Sequence, residues 1–260
     1  MDLIFLGMGP VITYEYPLNE RVRTLMRMED LFAKFSHFAQ QNDALAHHAA
    51  LLALFEILEV ARGDLKSDLI QELERQRHTL EPLRNNPSVK PEALEDVLSN
   101  IARTVTQLQG LSGKIGQHLR DNEWVMSIKQ RACIPGGVCE FDVPSYHYWL
   151  SLDPETRRTD LLEWMAPFDP LSSAITIILK ILRDSGQPSK QVPPQGAYQQ
   201  MASGRIAQML RVGLDEKLPC FPEISANKYA INIRFTALGG ATRPKVCDTQ
   251  VEFTLTLCCL

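Results

Sequence analysis

Ile134-Pro-Gly-Gly-Val-Cys-Glu-Phe-Asp-Val-Pro-Ser-Tyr-His-Tyr-Trp-Leu150 is the stretch on which the reading of this chain turns. Pro135-Gly136-Gly137 breaks any helix that arrives from the N-terminal side. Beyond it Val138, Phe141, Val143, Tyr146, Tyr148 and Leu150 are β-branched, aromatic or apolar in rough alternation, which predicts a strand. To the left of this hinge the apolar period is helical, and to the right strands accumulate. The fold class expected is therefore α+β: an N-terminal antiparallel helical bundle domain with a smaller, mostly antiparallel β-sheet domain.

Working leftward, the run Val11-Ile-Thr-Tyr-Glu-Tyr16 is short, β-branched and aromatic, and Pro17 closes it as a strand. Asn19 is placed to cap a first helix running to about residue 39, with Val22, Leu25, Met26, Phe32 and Phe35 as its apolar stripe. Arg23, Arg27 and Lys34 fall away from that stripe, with Asp30 among them. Asp43 precedes a second helix, Ala44 to Ala61, whose run Ala49 to Leu58 is apolar on nearly every side and so calls for burial from several directions. Gly63 ends it. A third helix starting at Asp64 or Ser67 turns Leu65, Leu69, Leu73, Leu80 and Leu83 inward and Glu72, Glu74, Arg75 and Arg77 outward. A fourth starts near Pro91, and a fifth covers Ile115 to Ala132.

Working rightward, Pro154 to Met165 reads as a helix with proline in its first turn. The β-branched run Ala174 to Leu182 exceeds strand length and sits between Asp169-Pro170 and Ser185-Gly186, so it reads as a buried helix. Residues 186 to 196, with Pro188, Pro193, Pro194 and Gly196, read as a linker. Met209 to Val212, Lys228 to Phe235 and Gln250 to Leu257 alternate as strands, and Leu238 to Pro244 is the loop between the last two. Parity puts Lys228 and Arg234 on the face opposite Ile231, Ile233 and Phe235. The domain organisation expected is 1–17 as an N-terminal strand region pairing with the β-domain, 18–133 as the helical domain and 134–152 as the hinge strand. Residues 153–186 are helices returning to the bundle, and 187–260 are the β-domain, with the first residues a loose extension.

Composition narrows the function classes. With 45% apolar and 22% charged residues among 260, the chain reads as a soluble globular protein, and no run approaches roughly 18 consecutive apolar residues. A net charge of −4 offers no global attraction to nucleic acid or to an anionic membrane. The six cysteines read as reduced thiols of a cytosolic protein, and Cys133 and Cys139 lack the companions a zinc site needs. The adjacent His47 and His48 diverge by about 100° on a helix, with no H-E-x-x-H around them. There is no Walker loop, no dinucleotide fingerprint, no nucleophile elbow, and no carboxylate-histidine set with catalytic spacing. No enzyme, no cofactor and no metal are expected.

A longer-range signal comes from blocks that periodicity does not explain. Pro17 to Glu29, Ile115-Gly-Gln-His-Leu-Arg120, the Ile134 to Leu150 hinge and Ile224 to Phe235 closely resemble the ZapD family of bacterial cell-division proteins. The resemblance keeps the order of all four blocks and covers about Ile12 to Cys259. It implies a cytoplasmic, non-enzymatic homodimer recruited to the mid-cell division site. Such a protein binds the C-terminal tail of FtsZ, cross-links or bundles protofilaments, promotes Z-ring assembly and lowers FtsZ GTPase activity. Basic positions tied to FtsZ binding in the family fall here on Arg27 and His147. Another falls on Glu123, a departure for which Arg120, three residues earlier, is the substitute. In the β-domain Lys228 and Arg234 match basic positions, with Arg211 as a neighbour on an adjacent strand. The alternative from another class is a small-molecule or nucleotide-handling enzyme with a cleft between the two domains. A nucleic-acid-binding module is disfavoured by the acidic balance and the lack of clustered basic and aromatic residues.

Overall fold

The computed structural model describes residues 10–61, 63–193, 196–201, 207–227, 229–238, 243, 245–247 and 249–260. The expected extension before residue 10 and Lys228 lie outside them, as does most of the loop expected after Leu238. The chain forms two units, one helical over Thr24–Ile178 and one built around sheets from the described residues up to Arg23 together with Leu179–Leu260. Both crossings between units fall inside helices.

Several helices of the helical unit start at a side chain that caps them, Asn19, Asp43, Asn122 and Asp153. Helix α1, Glu20–Ala39, begins at Asn19, whose side chain accepts from Val22 N at 2.8 Å. Its Leu25, Met28, Phe32 and Phe35 are buried. Helix α2, Ala44–Val60, is capped by Asp43 and buries Ala50, Leu51, Ala53, Leu54, Phe55, Ile57 and Leu58. That near-cylindrical burial is what an all-round apolar helix requires. Helices α3, Leu65–Leu80, and α4, Pro91–Gly110, pack against each other. On α3 the expectation for Glu72 fails: it is buried, because its carboxylate receives both Arg75, at 3.0 and 2.5 Å, and the buried Gln76 amide.

The single helix expected over Ile115 to Ala132 is two. Helix α5, Gln117–Arg120, ends at Asp121, and Asn122 restarts the chain by capping α6, Glu123–Ala132, at Val125 N, 3.0 Å away. An asparagine that bonds a backbone N–H three residues ahead competes with helix continuation, so the break is local chemistry.

The hinge strand of 134–152 is also corrected. Tight turns carry the chain through the Pro-Gly-Gly segment, with Gly136 at φ +70°, and Pro144–Ser151 is a helix, α7. Proline in its first turn loses no hydrogen bond there. Val143, Tyr146 and Trp149, three apart, are buried, whereas Phe141 and Tyr148 are 79% and 67% exposed. The burial period is helical, and Phe141 and Tyr148 mimic strand alternation without being buried. Helix α8, Pro154–Met165, leads through a 3₁₀ turn, Ala166–Phe168, into α9, Asp169–Asp184. The run Pro154–Asp184 is long and apolar enough to cross a bilayer, yet half of its most apolar window is buried inside the protein.

Two arginines of α8 fasten the loop between α1 and α2. Arg157, buried, donates to the carbonyl oxygens of Asn42, Leu150 and Leu152 and, at 3.0 Å, to Nδ1 of His47. Arg158 donates to the carbonyls of Ala39, Gln40 and Gln41. Helix-end carbonyls are left without intrahelical partners, and a guanidinium with five donors in a planar fork satisfies several together.

In the other unit two sheets face each other. The first has the order β1 (Val11–Pro17), β4 (Met209–Asp215), β8 (Phe253–Cys258), β2 (Gln187–Gln191), all antiparallel. The second has β6 (Ala230–Ala237) between β3 (Ala197–Met201) and β5 (Phe221–Ala226), and β7 (Lys245–Val246) also pairs with β6. Leu210, Val212, Leu214, Val251, Phe253 and Leu255 meet Ile231, Ile233 and Phe235 between the sheets, with the Phe235 and Phe253 rings 4.9 Å apart. The expected linker 186–196 holds strand β2. It is polar and carries Pro188, which an edge strand tolerates because one side of its ladder is unpaired.

Candidate partner-binding residues

The six residues expected to bind a partner fall into different situations. On α1, Arg23 pairs with Glu20 at 3.1 Å and Lys34 with Asp30 at 2.6 Å, while Arg27 is exposed with no carboxylate partner among the described residues. Its exposed guanidinium is free to meet an anion.

Arg120 is a different case. From α5 its Nη1 donates to the Ile115 carbonyl at 2.5 Å and its Nη2 to the Leu58 carbonyl at 3.2 Å. It ties the end of α2 to the turn before α5. Gly116 in that turn has φ +73°, and a Cβ there would lie 2.3 Å from Leu58 Cδ1, so the approach needs glycine. Glu123 occupies the first turn of α6, where a carboxylate suits the positive helix end.

His147 projects from α7 into solvent with Nε2 3.7 Å from Glu140 Oε2. The helix beneath it is held firmly. Tyr146 Oη meets His48 Nδ1 at 2.7 Å, Trp149 Nε1 donates to Asp160 at 2.7 Å, and Trp124 Nε1 donates to Ser145 Oγ at 3.0 Å. Burial pushes the Tyr146 phenol well above its ordinary range and the His48 ring below its own. Among the described residues no hydrogen bond or ion pair joins Arg27, Arg120 and His147 to one another.

In the sheet unit Arg211 lies opposite Glu15 in the β1–β4 register, with Nε 3.1 Å from Glu15 Oε1. The contact is an ion pair rather than an aligned hydrogen bond, since this Nε finds no acceptor in hydrogen-bonding geometry. Glu15 also receives Arg183 Nε at 2.9 Å and Nη2 at 2.8 Å, so it bridges two arginines, and the charge of Arg211 is largely answered within the unit. Arg234 on β6 is exposed, lies between Ala197 and Glu223 in register, and has no ion pair among the described residues. The expected adjacency of Arg211 and Arg234 is corrected: β4 and β6 belong to different sheets with the apolar core between them. Face parity along one strand says nothing about which strands become neighbours.

Two of the six, Arg27 and Arg234, are thus exposed guanidiniums uncommitted to other side chains. Sequence reading did not anticipate Glu15 and Arg183 as partners of Arg211, because residues so far apart meet only through strand pairing. Among the described residues no cluster of His, Cys, Asp and Glu is placed to hold a metal.

The family model for ZapD, described as a cell division protein, matches residues 26–234, from α1 into β6. The chain belongs to the ZapD family. Proteins named cell division protein ZapD from Aromatoleum aromaticum and from an Azoarcus species are each 53% identical to it. The first aligns over 96% of this chain and 98% of its own length, the second over 96% and 100%. That of Dechloromonas aromatica is 54% identical over 95% and 99%. Similarity at this level along nearly the whole of each chain assigns a role in cell division. All six expected residues fall within the matched ZapD segment.

Proposed function

We propose that this protein binds the C-terminal tail of FtsZ and cross-links protofilaments as a cytoplasmic homodimer at mid-cell. It thereby promotes Z-ring assembly and lowers FtsZ GTPase activity without performing catalysis itself. Membership of the ZapD family over most of the chain is the observation that carries this reading. The physical logic is that a twofold dimer presents two copies of one tail-binding surface, so weak single contacts sum to firm cross-linking. Arg27 and Arg234, exposed and without carboxylate partners among the described residues, are the cations best suited to contact the tail. His147 and Lys228 are the further candidates for contact with the tail. Arg120 and Arg211 contribute less, because backbone carbonyls and Glu15 already engage them.

The affinity of a labelled FtsZ tail peptide, followed by anisotropy across a salt series, tests this assignment. Arg27→Glu and Arg234→Glu are each expected to weaken binding by roughly fivefold to tenfold and to flatten its salt dependence. Arg211→Gln should leave the tail affinity within about twofold. If both reversals bind with unchanged affinity and salt slope, the binding surface lies elsewhere.

A further inference from the structure

Within the helical unit, residues of α4 and of the first half of α9 line one polar trough. Asn100, Arg103, Thr104 and Gln107 from α4 and Ser172, Ser173, Thr176 and Ile177 from α9 line this open trough of about 540 Å³. That volume is in the range of ligand sites, roughly 300–1,000 Å³. Its walls differ from those of a small-molecule pocket. Only Ile177 is apolar, while Arg103, Gln107, Ser173 and Thr176 are exposed, so a compact ligand would stay largely in water. An extended backbone supplying its own N–H and C=O groups suits such walls.

The charge and hydrogen-bond pattern selects the kind of segment. No acidic residue lines the trough, and Arg103 has no carboxylate partner among the described residues. Its Nη2 donates to Asn100 Oδ1 at 2.7 Å, and the Asn100 amide keeps its own N–H groups as donors. Thr176 Oγ1 donates to the Ser172 carbonyl at 2.9 Å and keeps its lone pairs available, while the Ser173 hydroxyl and Gln107 amide have no partner among the described residues. The lining is therefore cationic at Arg103 and offers both donors and acceptors elsewhere.

We propose that this trough docks an acidic peptide segment, with a carboxylate against Arg103 and the segment's backbone hydrogen-bonded by Asn100, Gln107, Ser173 and Thr176. Neither Arg27 nor Arg234 lines the trough, and the proposal does not depend on the FtsZ assignment.

The test uses the full chain and a fluorescently labelled short peptide of alternating Asp and Ser, with an Asn-Ser peptide for comparison. Free glutamate and inorganic phosphate serve as competitors. Measurable binding of the Asp-Ser peptide is expected, with the Asn-Ser peptide and the Arg103→Gln variant each weaker by about tenfold or more. Ser173→Tyr, which fills the trough from an exposed position, should abolish binding while the thermal midpoint stays at the wild-type value. Arg27→Glu should bind as wild type. The proposal is overturned by no binding, by equal binding of the Asn-Ser peptide, or by wild-type affinity in both trough variants. It is equally overturned if Arg27→Glu alone removes binding, or if glutamate or phosphate displaces the peptide at the concentration at which the peptide itself binds.

Discussion

His47 Nε2 lies 2.6 Å from the Gln41 carbonyl, which can only accept, so the ring proton sits on Nε2 and Nδ1 is left to accept from Arg157. A second proton would remove that bond and place a cation against two guanidiniums. Burial, with the charges of Arg157 and Arg158 adding to it, holds the ring below the ordinary histidine value, although its bond to Gln41 opposes this. The sign of the linkage follows. The unfolded chain takes up the proton near the ordinary value of about 6.5 while the folded chain resists, so the folded state binds fewer protons. The contribution to stability is complete above that value, declines as pH falls through it, and levels off below the depressed folded-state value. His48, whose ring is also held low by burial beside Tyr146, adds to the same trend. Urea unfolding between neutral and mildly acidic pH should show a shallower decline for His47→Gln, which keeps a donor and an acceptor but does not titrate, than for wild type. His47→Ala should lose about 2–4 kcal/mol at neutral pH, because a buried guanidinium and a carbonyl lose their partner. An unchanged pH slope in His47→Gln would remove this residue from the account.

Among elements, α7 is the informative one, because its identity separates the two readings of the hinge. Tyr148 is an exposed helix-interior position, so Tyr148→Pro should cost about 3 kcal/mol, whereas Tyr148→Ala should stay within about 0.5 kcal/mol. Similar losses from the two changes would argue against the helix. The signal for it was present in the sequence: Pro144 suits a first helical turn, and Val143, Tyr146 and Trp149 are spaced three apart. It was masked by Phe141 and Tyr148, whose aromatic character mimics strand alternation without burial. The strands that sequence reading found, β4, β6 and β8, are interior to their sheets and carry dense apolar patterns, and β1 was marked by its aromatic and β-branched residues. Those it missed, β2, β3, β5 and β7, have at most one such neighbour, and composition specifies a half-solvated strand weakly. Helices were more legible because caps such as Asn19 and Asp43 act over three residues and leave a local mark.

For the whole molecule, α+β class and the division into a helical unit and a sheet unit followed from the change of apolar period along the chain. The arrangement of the candidate site did not, because it depends on which cations find partners. Arg120 and Arg211 look like Arg27 and Arg234 in the sequence, yet the first pair is engaged by the Leu58 carbonyl and by Glu15, residues far away along the chain. No periodicity reports such long-range contacts. ZapD membership identifies the process, and cross-linking of filaments by a dimer with two tail-binding surfaces is the claim on which the function rests. Sedimentation of FtsZ filaments with this protein, using full-length FtsZ and FtsZ lacking its C-terminal tail, tests that claim most directly. The account predicts that full-length filaments shift into low-speed, co-sedimenting bundles and that tail-less filaments stay single and leave the protein in the supernatant; equal bundling of both would contradict it.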